Sequence, residues 1–428
     1  MPVFLCARGA YHRAIGMETG VIDRRQILAG ISATMLAGCG RRQAEEEAGK
    51  AAGLADRVTL PFANGERPLV TYPQKRPMIG LTVRPPQLET PFSVFGEGAI
   101  TPNDAFFVRY HMADIPLSID PAAYRLAVGG HVKIPLSLSL AQLKTDFAPT
   151  EIVAVNQCSG NSRGFSDPRV GGGQLANGAM GNARWQGVPL KAVLERAGVR
   201  GGAKQVTFNG LDNPPSPGIP DFVKALDADH ALDGEVMLAW GMNGEDLPFL
   251  NGYPLRLIVP GHYGTYWVKH LSDIMVTDAE YDGYWMKTAY RIPDNDCACV
   301  APGTKPDKTR PIGRLNIRSF VTSHIDGAVV NAGTATEIKG IAFDGGTGIA
   351  QVLVSGDDGR SWQPAALGED LGRYSFREWR VPLTLGKGDH RLKVRAVGRG
   401  GETQPQEPRW NPPGYMRNVV EAITLRAA

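Results

Sequence analysis

Residues 151–173, EIVAVNQCSGNSRGFSDPRVGGG, join an apolar run to a loop of glycines and polar side chains, with Cys158 at the junction. The IVAV centre of the run is apolar and rich in β-branched residues, so it reads as a buried strand. The cysteine therefore leaves rigid backbone and faces a flexible loop that carries Arg163. A soft sulfur donor in that position suits a metal centre that handles a small anion. An isolated Cys158 would read better as a buried thiol acting as a small hydrophobe. The rest of the chain decides between the two.

A chain of 428 residues is too long for one ordinary core, and two domains plus a tail are expected. Its 52 glycines and 32 prolines point to a loop-rich chain with many β-turns. Between Val58 and Pro311, runs such as QVTF and PLRLIV read as further strands. Leu190, Val193, Leu194 and Ala197 recur at helical spacing within Val188–Gly198, and Gly198 can end that helix. A second short helix is expected after Ser139, a good N-cap, with Leu140 and Leu143 facing inward. Short strands, long turns and short helices predict an α+β fold over residues 58–311 rather than a doubly wound sheet. Past Pro311 the pattern changes. Gln351–Ser355, the GDDG turn at 356–359 and Trp362 predict a hairpin, and Arg391–Ala396 alternates with period two. Residues 312–428 are thus expected to form an immunoglobulin-like β-sandwich. No glycine-rich phosphate loop stands between a strand and a helix, so nucleotide cofactors have no support.

The N-terminus reads as a leader over residues 1–39. Arg24 and Arg25 precede ILAGISATMLAG, which is too short to span a bilayer as a mature helix. Paired arginines before such a stretch resemble the twin-arginine signal, implying export of the folded protein to the periplasm. Leu36–Cys39 resembles a lipobox whose cleavage would leave Cys39 lipidated, an anchor to a membrane. A plain export signal with an incidental cysteine fits the same residues. Met17 begins a signal of conventional length, so a start before it reads as an extension. Residues 40–57 are polar and alanine-rich, a tether. Without residues 1–38 the chain holds 42 basic and 41 acidic residues, which gives nucleic-acid binding no support. Cys297 and Cys299 are expected to pack rather than to bind metal, and no disulfide framework is indicated.

Three further segments give Cys158 its context: FFVRYH at 106–111, CSGNSR at 158–163, and GYPLRLIVPGHYGTYWVKHL at 252–271 followed by KTAYRIPDN at 287–295. In this order they resemble the sulfite oxidase family of molybdenum enzymes, most closely its bacterial sulfite dehydrogenases, from about residue 68 to the C-terminus. The resemblance implies molybdenum bound by Cys158 beside the dithiolene of one molybdopterin. It implies cofactor contacts from Phe107, Val108, Arg109, Tyr110, His111, Asp212, Asn251, Arg256, Trp267, Val268 and Lys269. Asn251 stands where the animal enzymes carry a histidine. Arg109 and Arg163 are implied as substrate arginines, with His111 and Tyr290 completing the catalytic set. Residues 312–428 then resemble the dimerisation domain, implying a homodimer or a pairing with a haem subunit.

The residue types suit that chemistry independently. Sulfite is anionic at neutral pH, and guanidinium groups bind such oxyanions through planar, charge-assisted hydrogen bonds. A tyrosine can donate a hydrogen bond without competing charge. Each residue alone has an ordinary structural reading; their shared order favours the site. The sequence contains no C-x-x-C-H for covalent haem, so electrons are expected to leave to an external cytochrome c or haem subunit. A sulfane dehydrogenase or a sulfoxide reductase would use the same cysteine, although the arginines favour a small anion. A lipid-anchored, non-enzymatic binding protein would carry no stoichiometric metal.

Overall fold

The computed structural model describes residues 56–428; the leader, Cys39 and nearly all of the tether lie outside the described residues. Val58–Ala428 packs as one compact unit. Among the described residues, the α-helices are short and strands predominate. The expected α+β architecture followed by a β-sandwich is what the chain adopts.

The strand at the opening cysteine runs from Thr150 to Gln157, and its inner half is fully buried. It pairs antiparallel with Met180–Pro189, Val155 opposite Asn182 and Gln157 opposite Met180. Met237–Met242 pairs on the far side, and Arg256–Ile258 pairs with it in turn. This sheet therefore carries both Cys158 and Arg256 at strand ends. A second sheet orders Lys224–Asp227, Gln205–Gly210, Leu271–Thr277, Arg125–Gly130 and Leu136–Ser139. Its Leu271–Thr277 and Arg125–Gly130 strands are parallel. A third sheet ends on Val108–Arg109, paired with Gln87–Glu89.

Both expected helices form. Ser139 caps Leu140–Thr145 through a reciprocal box: its hydroxyl accepts from Gln142 N–H while Gln142 accepts from Ser139 N–H. Leu190–Ala197 buries Leu190, Val193, Leu194 and Ala197, and Gly198 ends it at φ 68°. Two aromatic anchors tie the layers together. Trp185 is fully buried and its indole donates to Ala154 O at 3.0 Å. Phe106 packs against Gly181, where a Cβ would come within 2.5 Å of its ring, and meets Trp185 edge-on at 5.7 Å. That contact fixes the segment leading to Arg109 and His111.

The C-terminal segment builds two facing sheets. One holds Arg318–Val321, Ala335–Phe343, Arg377–Thr384 and Ala366–Leu367. The other holds Ala328–Val330, Glu421–Ala427, Gly388–Gly398, Ile349–Ser355 and Gln363–Pro364. Alternate residues such as Trp379, Val381, Leu383, Leu392 and Val394 fill the space between them. On Ala335–Phe343, Ile338 and Ala342 point into the sandwich, whereas Ile341 and Phe343 join the larger core of the first layers. One strand thus serves two cores.

The expectation for Cys297 and Cys299 is corrected: they form a disulfide. A tight turn brings the thiols together. Ala298 takes a φ of 49°, and Asn295 clasps Cys299 by donating to its carbonyl at 2.8 Å and accepting from its N–H at 3.2 Å. Cys158 is the free cysteine of the described residues.

Candidate active site

A cleft opens where the three sheets meet. Phe107, Arg109, His111, Cys158, Asp212, Asn251, Arg256, Trp267, Val268, Lys269 and Tyr290 all line it. Eleven of the residues singled out in the sequence therefore converge, although they span residues 107–290.

Each is placed by local backbone. Cys158 follows the last strand residue; its N–H donates to Ala179 O at 2.9 Å, and Asn161 N–H donates back to Cys158 O at 3.0 Å. The Asn161 side chain accepts from Ala179 N–H at 3.0 Å, so strand and loop are stapled on both sides of the thiol. Asn251 ends a 3₁₀ turn and is fully buried. Its amide donates to Phe107 O at 3.0 Å and accepts from the Lys75 ammonium at 2.6 Å. Gly252 follows at φ 115°, a conformation that favours glycine. Arg256 packs on the indoles of both Trp185 and Trp267, at 5.3 Å and 5.7 Å, and donates to Asn251 O at 3.0 Å. The Lys269 ammonium sits 4.0 Å above the Tyr110 ring and donates to Arg109 O.

Three predicted residues lie elsewhere. Val108 packs in a small apolar cluster with Met78, Leu88 and Tyr110. The Tyr110 hydroxyl donates to His270 Nε2 at 2.6 Å, because His270 spends Nδ1–H on Tyr253 O. Arg163 stands behind the cleft: Nε donates to Pro413 O at 2.9 Å, Nη1 to Gly173 O at 3.3 Å, and the guanidinium covers the Tyr415 ring at 5.0 Å. Tyr415 in turn stacks on Tyr290, 5.4 Å apart and nearly parallel.

The cleft is cationic and short of partners. Asp212 is the one carboxylate in its lining. Burial lowers Lys269 to about 7 and Arg256 to about 9, since each loses hydration without a full counter-charge. Burial raises Asp212, and Lys269 opposes that shift. His111 is held well below its usual range by burial and by Arg109, Lys269 and Lys224, so it is neutral. Its ring stacks on Phe222 at 3.8 Å, and Nε2 shares a hydrogen bond with the Tyr290 hydroxyl. Burial raises Tyr290, keeping it protonated. Asn156, the Ser159 hydroxyl, Arg256 Nε and the Thr265 hydroxyl are buried polar groups with no protein partner, and all four residues line the cleft. Each such group costs about 1–3 kcal/mol unless a ligand satisfies it. Gly264 comes so close that a Cβ there would lie 2.3 Å from Asn156 Oδ1. A large, polar, anionic cofactor with many acceptors fits this lining. Cys158 supplies the soft donor for a metal attached to it.

The sequence reading missed several lining residues. Asn156 was within reach, because strand alternation puts it on the same side as Cys158. Ser159, Gly264 and Thr265 lie inside the quoted motifs. Phe222, Leu250 and the nearby Tyr415 carry no local signal.

Comparison with known proteins agrees with this geometry. Residues 111–285 match the family described as oxidoreductase molybdopterin binding domain. Residues 309–427 match the Mo-co oxidoreductase dimerisation domain. Mitochondrial sulfite oxidase of Mus musculus is 34% identical over 388 residues, covering 86% of this chain and 69% of that protein. Sulfite oxidase of Gallus gallus is 34% identical over 372 residues, covering 82% and 79%. The NADH nitrate reductase of Spinacia oleracea is 30% identical over 367 residues, covering 80% of this chain and 39% of that protein. The crystal structure of the sulfane dehydrogenase SoxCD from Paracoccus pantotrophus superposes with a TM-score of 0.66 at 25% identity, covering 86% of this chain and 87% of that one. A thiol at a cationic, unsatisfied cleft and these relatives lead to one conclusion: the chain belongs to the sulfite oxidase family of molybdenum enzymes, which bind molybdopterin.

Proposed function

We propose that this protein oxidises sulfite to sulfate. Sulfite and water become sulfate, two protons and two electrons, and the electrons leave singly to an external cytochrome c or haem subunit. The observation that carries the reading is the convergence of Cys158, Arg109, Lys269 and Tyr290 on a cleft with a single carboxylate in its lining. When bound, the molybdenum centre supplies oxygen-atom transfer and takes up the two electrons. Cys158 would hold the metal, while Arg256, Lys269, Asn251 and Asp212 would hold the pterin and its phosphate. Arg109 binds the oxyanion, and net charge-assisted bonds of about 1.5–3 kcal/mol each suffice to capture it. Tyr290, kept neutral by burial, offers a hydroxyl without repelling an anion. His111 holds that hydroxyl in place through Nε2.

Arg109→Gln tests the reading. The expected result is a KM for sulfite raised about ten- to a hundredfold with molybdenum content unchanged, because one charged hydrogen-bonding group is lost from substrate binding. Parallel loss of metal and activity would remove Arg109 from the substrate site. The likeness to SoxCD favours a second reading, oxidation of sulfur carried on a protein thiol. Rates with sulfite, a protein persulfide, nitrate and a sulfoxide, each with a suitable dye, separate these substrates. The leader supports a periplasmic location and an anchor at Cys39. The match to a dimerisation domain supports self-association or pairing with a haem subunit.

A further inference from the structure

We propose that Lys224 is a positioning residue for oxyanion binding, its ammonium standing behind Tyr290 and adding positive potential to the floor of the cleft. The inference deepens the reading of the cleft as an oxyanion site and rests on it. Lys224 belongs to an edge strand of the second sheet, where Lys224–Leu226 are buried and Asp227 is exposed. It is 1% exposed. Its Nζ donates to Trp285 O at 2.6 Å and lies 4.7 Å from the Tyr266 ring and 5.2 Å from the Tyr290 ring. Two aromatic rings and one carbonyl are the polar and cation–π partners found for it among the described residues.

The helix Ala228–Ala231 packed on this strand carries Asp229 and His230, and the helix Tyr284–Lys287 carries Lys287, and none of these pairs with Lys224. The adjacent strand presents Phe208, opposite Lys224 in register. The 264–266 turn brings Tyr266, and the segment after the 284–287 helix brings Tyr290 and then Arg291. His111 feels the Lys224 charge as a cation that disfavours its own protonation, as it feels Arg109 and Lys269. Asp227, on the same strand, is exposed. No ion pair to Lys224 is found among the described residues. An ammonium buried without a counter-charge is strongly disfavoured unless an anion compensates it. Such a group beside a substrate pocket points to function. Here the compensating anion is the substrate: Tyr290 lines the cleft, and the Lys224 ammonium lies 5.2 Å from its ring. Burial lowers the ammonium to about 7, so its charge is fully present below that pH and fades above it. An oxyanion in the cleft draws the proton back.

The test uses holoenzyme of the wild type, Lys224→Met and Lys224→Arg, with molybdenum measured in each. Sulfate affinity by titration calorimetry and sulfite KM with ferricyanide are followed from about pH 6 to about pH 9. The wild type is expected to lose affinity as pH rises through about 7. Lys224→Met should bind about tenfold more weakly at the acid end, with kcat within about twofold and a shallower dependence on pH. Lys224→Arg should keep the affinity and also lose slope, because a guanidinium stays charged. Lys269 also lines the cleft and is unchanged in all three proteins. A lysine that merely supports the fold would alter melting or metal content and leave the slopes equal. Equal slopes in wild type and Lys224→Met overturn the proposal. If Lys224→Met fails to hold molybdenum, a Lys224→Arg profile parallel to wild type overturns it instead. Wild-type holoenzyme that neither oxidises sulfite nor binds sulfate sinks the oxyanion reading itself, a result distinct from either.

Discussion

Cys158 stands where rigidity and reach meet. Its backbone N–H is held by Ala179, and its thiol opens on a cleft lined by Arg109, Lys269 and Tyr290. Replacing sulfur by oxygen at this position exchanges a soft donor for a harder, poorer one. Cys158→Ser is therefore expected to fold with an unchanged melting temperature and to lose turnover, checked by calorimetry and by sulfite assay. The motif residues were legible because each lies within a few positions of another distinctive residue in its own segment. Tyr415 was not: it reaches Tyr290 across 125 residues of chain, and nothing near it in sequence signals that contact. Arg163 is placed differently from its motif neighbours. Its place in CSGNSR pointed to substrate, yet Pro413, Gly173 and the Tyr415 ring occupy the guanidinium.

At the level of elements, turns do most of the placing. The 3₁₀ turn Phe249–Asn251 and the following Gly252 carry Asn251 into the cleft and start the run to Arg256. A Cβ at Gly252 would sit 3.2 Å from both the Arg256 and Lys269 side chains, on backbone at φ 115°. Gly252→Ala is expected to cost about 1–3 kcal/mol through backbone strain alone. It should also lower molybdenum content if Arg256 and Lys269 hold the pterin as proposed, because both cations are displaced; denaturant unfolding and metal analysis check both. Helices were readable from the sequence where their ends were marked. Ser139 with Gln142, and Gly198 after Ala197, carry the capping chemistry in the residues themselves. The Cys297–Cys299 bridge was not readable, because it depends on a left-handed Ala298 and on Asn295 folding back over the turn.

For the whole molecule, the buried cations set a pattern that the cofactor should weaken. Burial lowers Lys75, Lys224 and Lys269 to about 7 from their ordinary value near 10.5. Between about pH 7 and pH 10 the unfolded chain keeps protons on these lysines that the folded chain has released. Stability of cofactor-free protein should therefore rise with pH across that window. Below it the ammoniums are charged in both states, and the burial penalty is felt in full. A bound anionic cofactor keeps Lys269, which lines the cleft, charged in the fold, so the holoenzyme should show a flatter trend. Melting temperatures of both forms at about pH 7.5 and about pH 9 check this, and an apoprotein that loses stability over the window contradicts it. The sandwich was visible in the sequence as period-two alternation. Its sharing of Ile341 and Phe343 with the catalytic core was not, since only packing shows which sheet face has a second neighbour.

The central claim is a bond between the Cys158 sulfur and molybdenum. X-ray absorption at the molybdenum edge, on wild type and Cys158→Ser produced in a cofactor-competent host, measures it directly. Stoichiometric molybdenum is expected in the wild type, with loss of one sulfur neighbour in the variant. Wild type without molybdenum, or the same sulfur shell in both proteins, would contradict it.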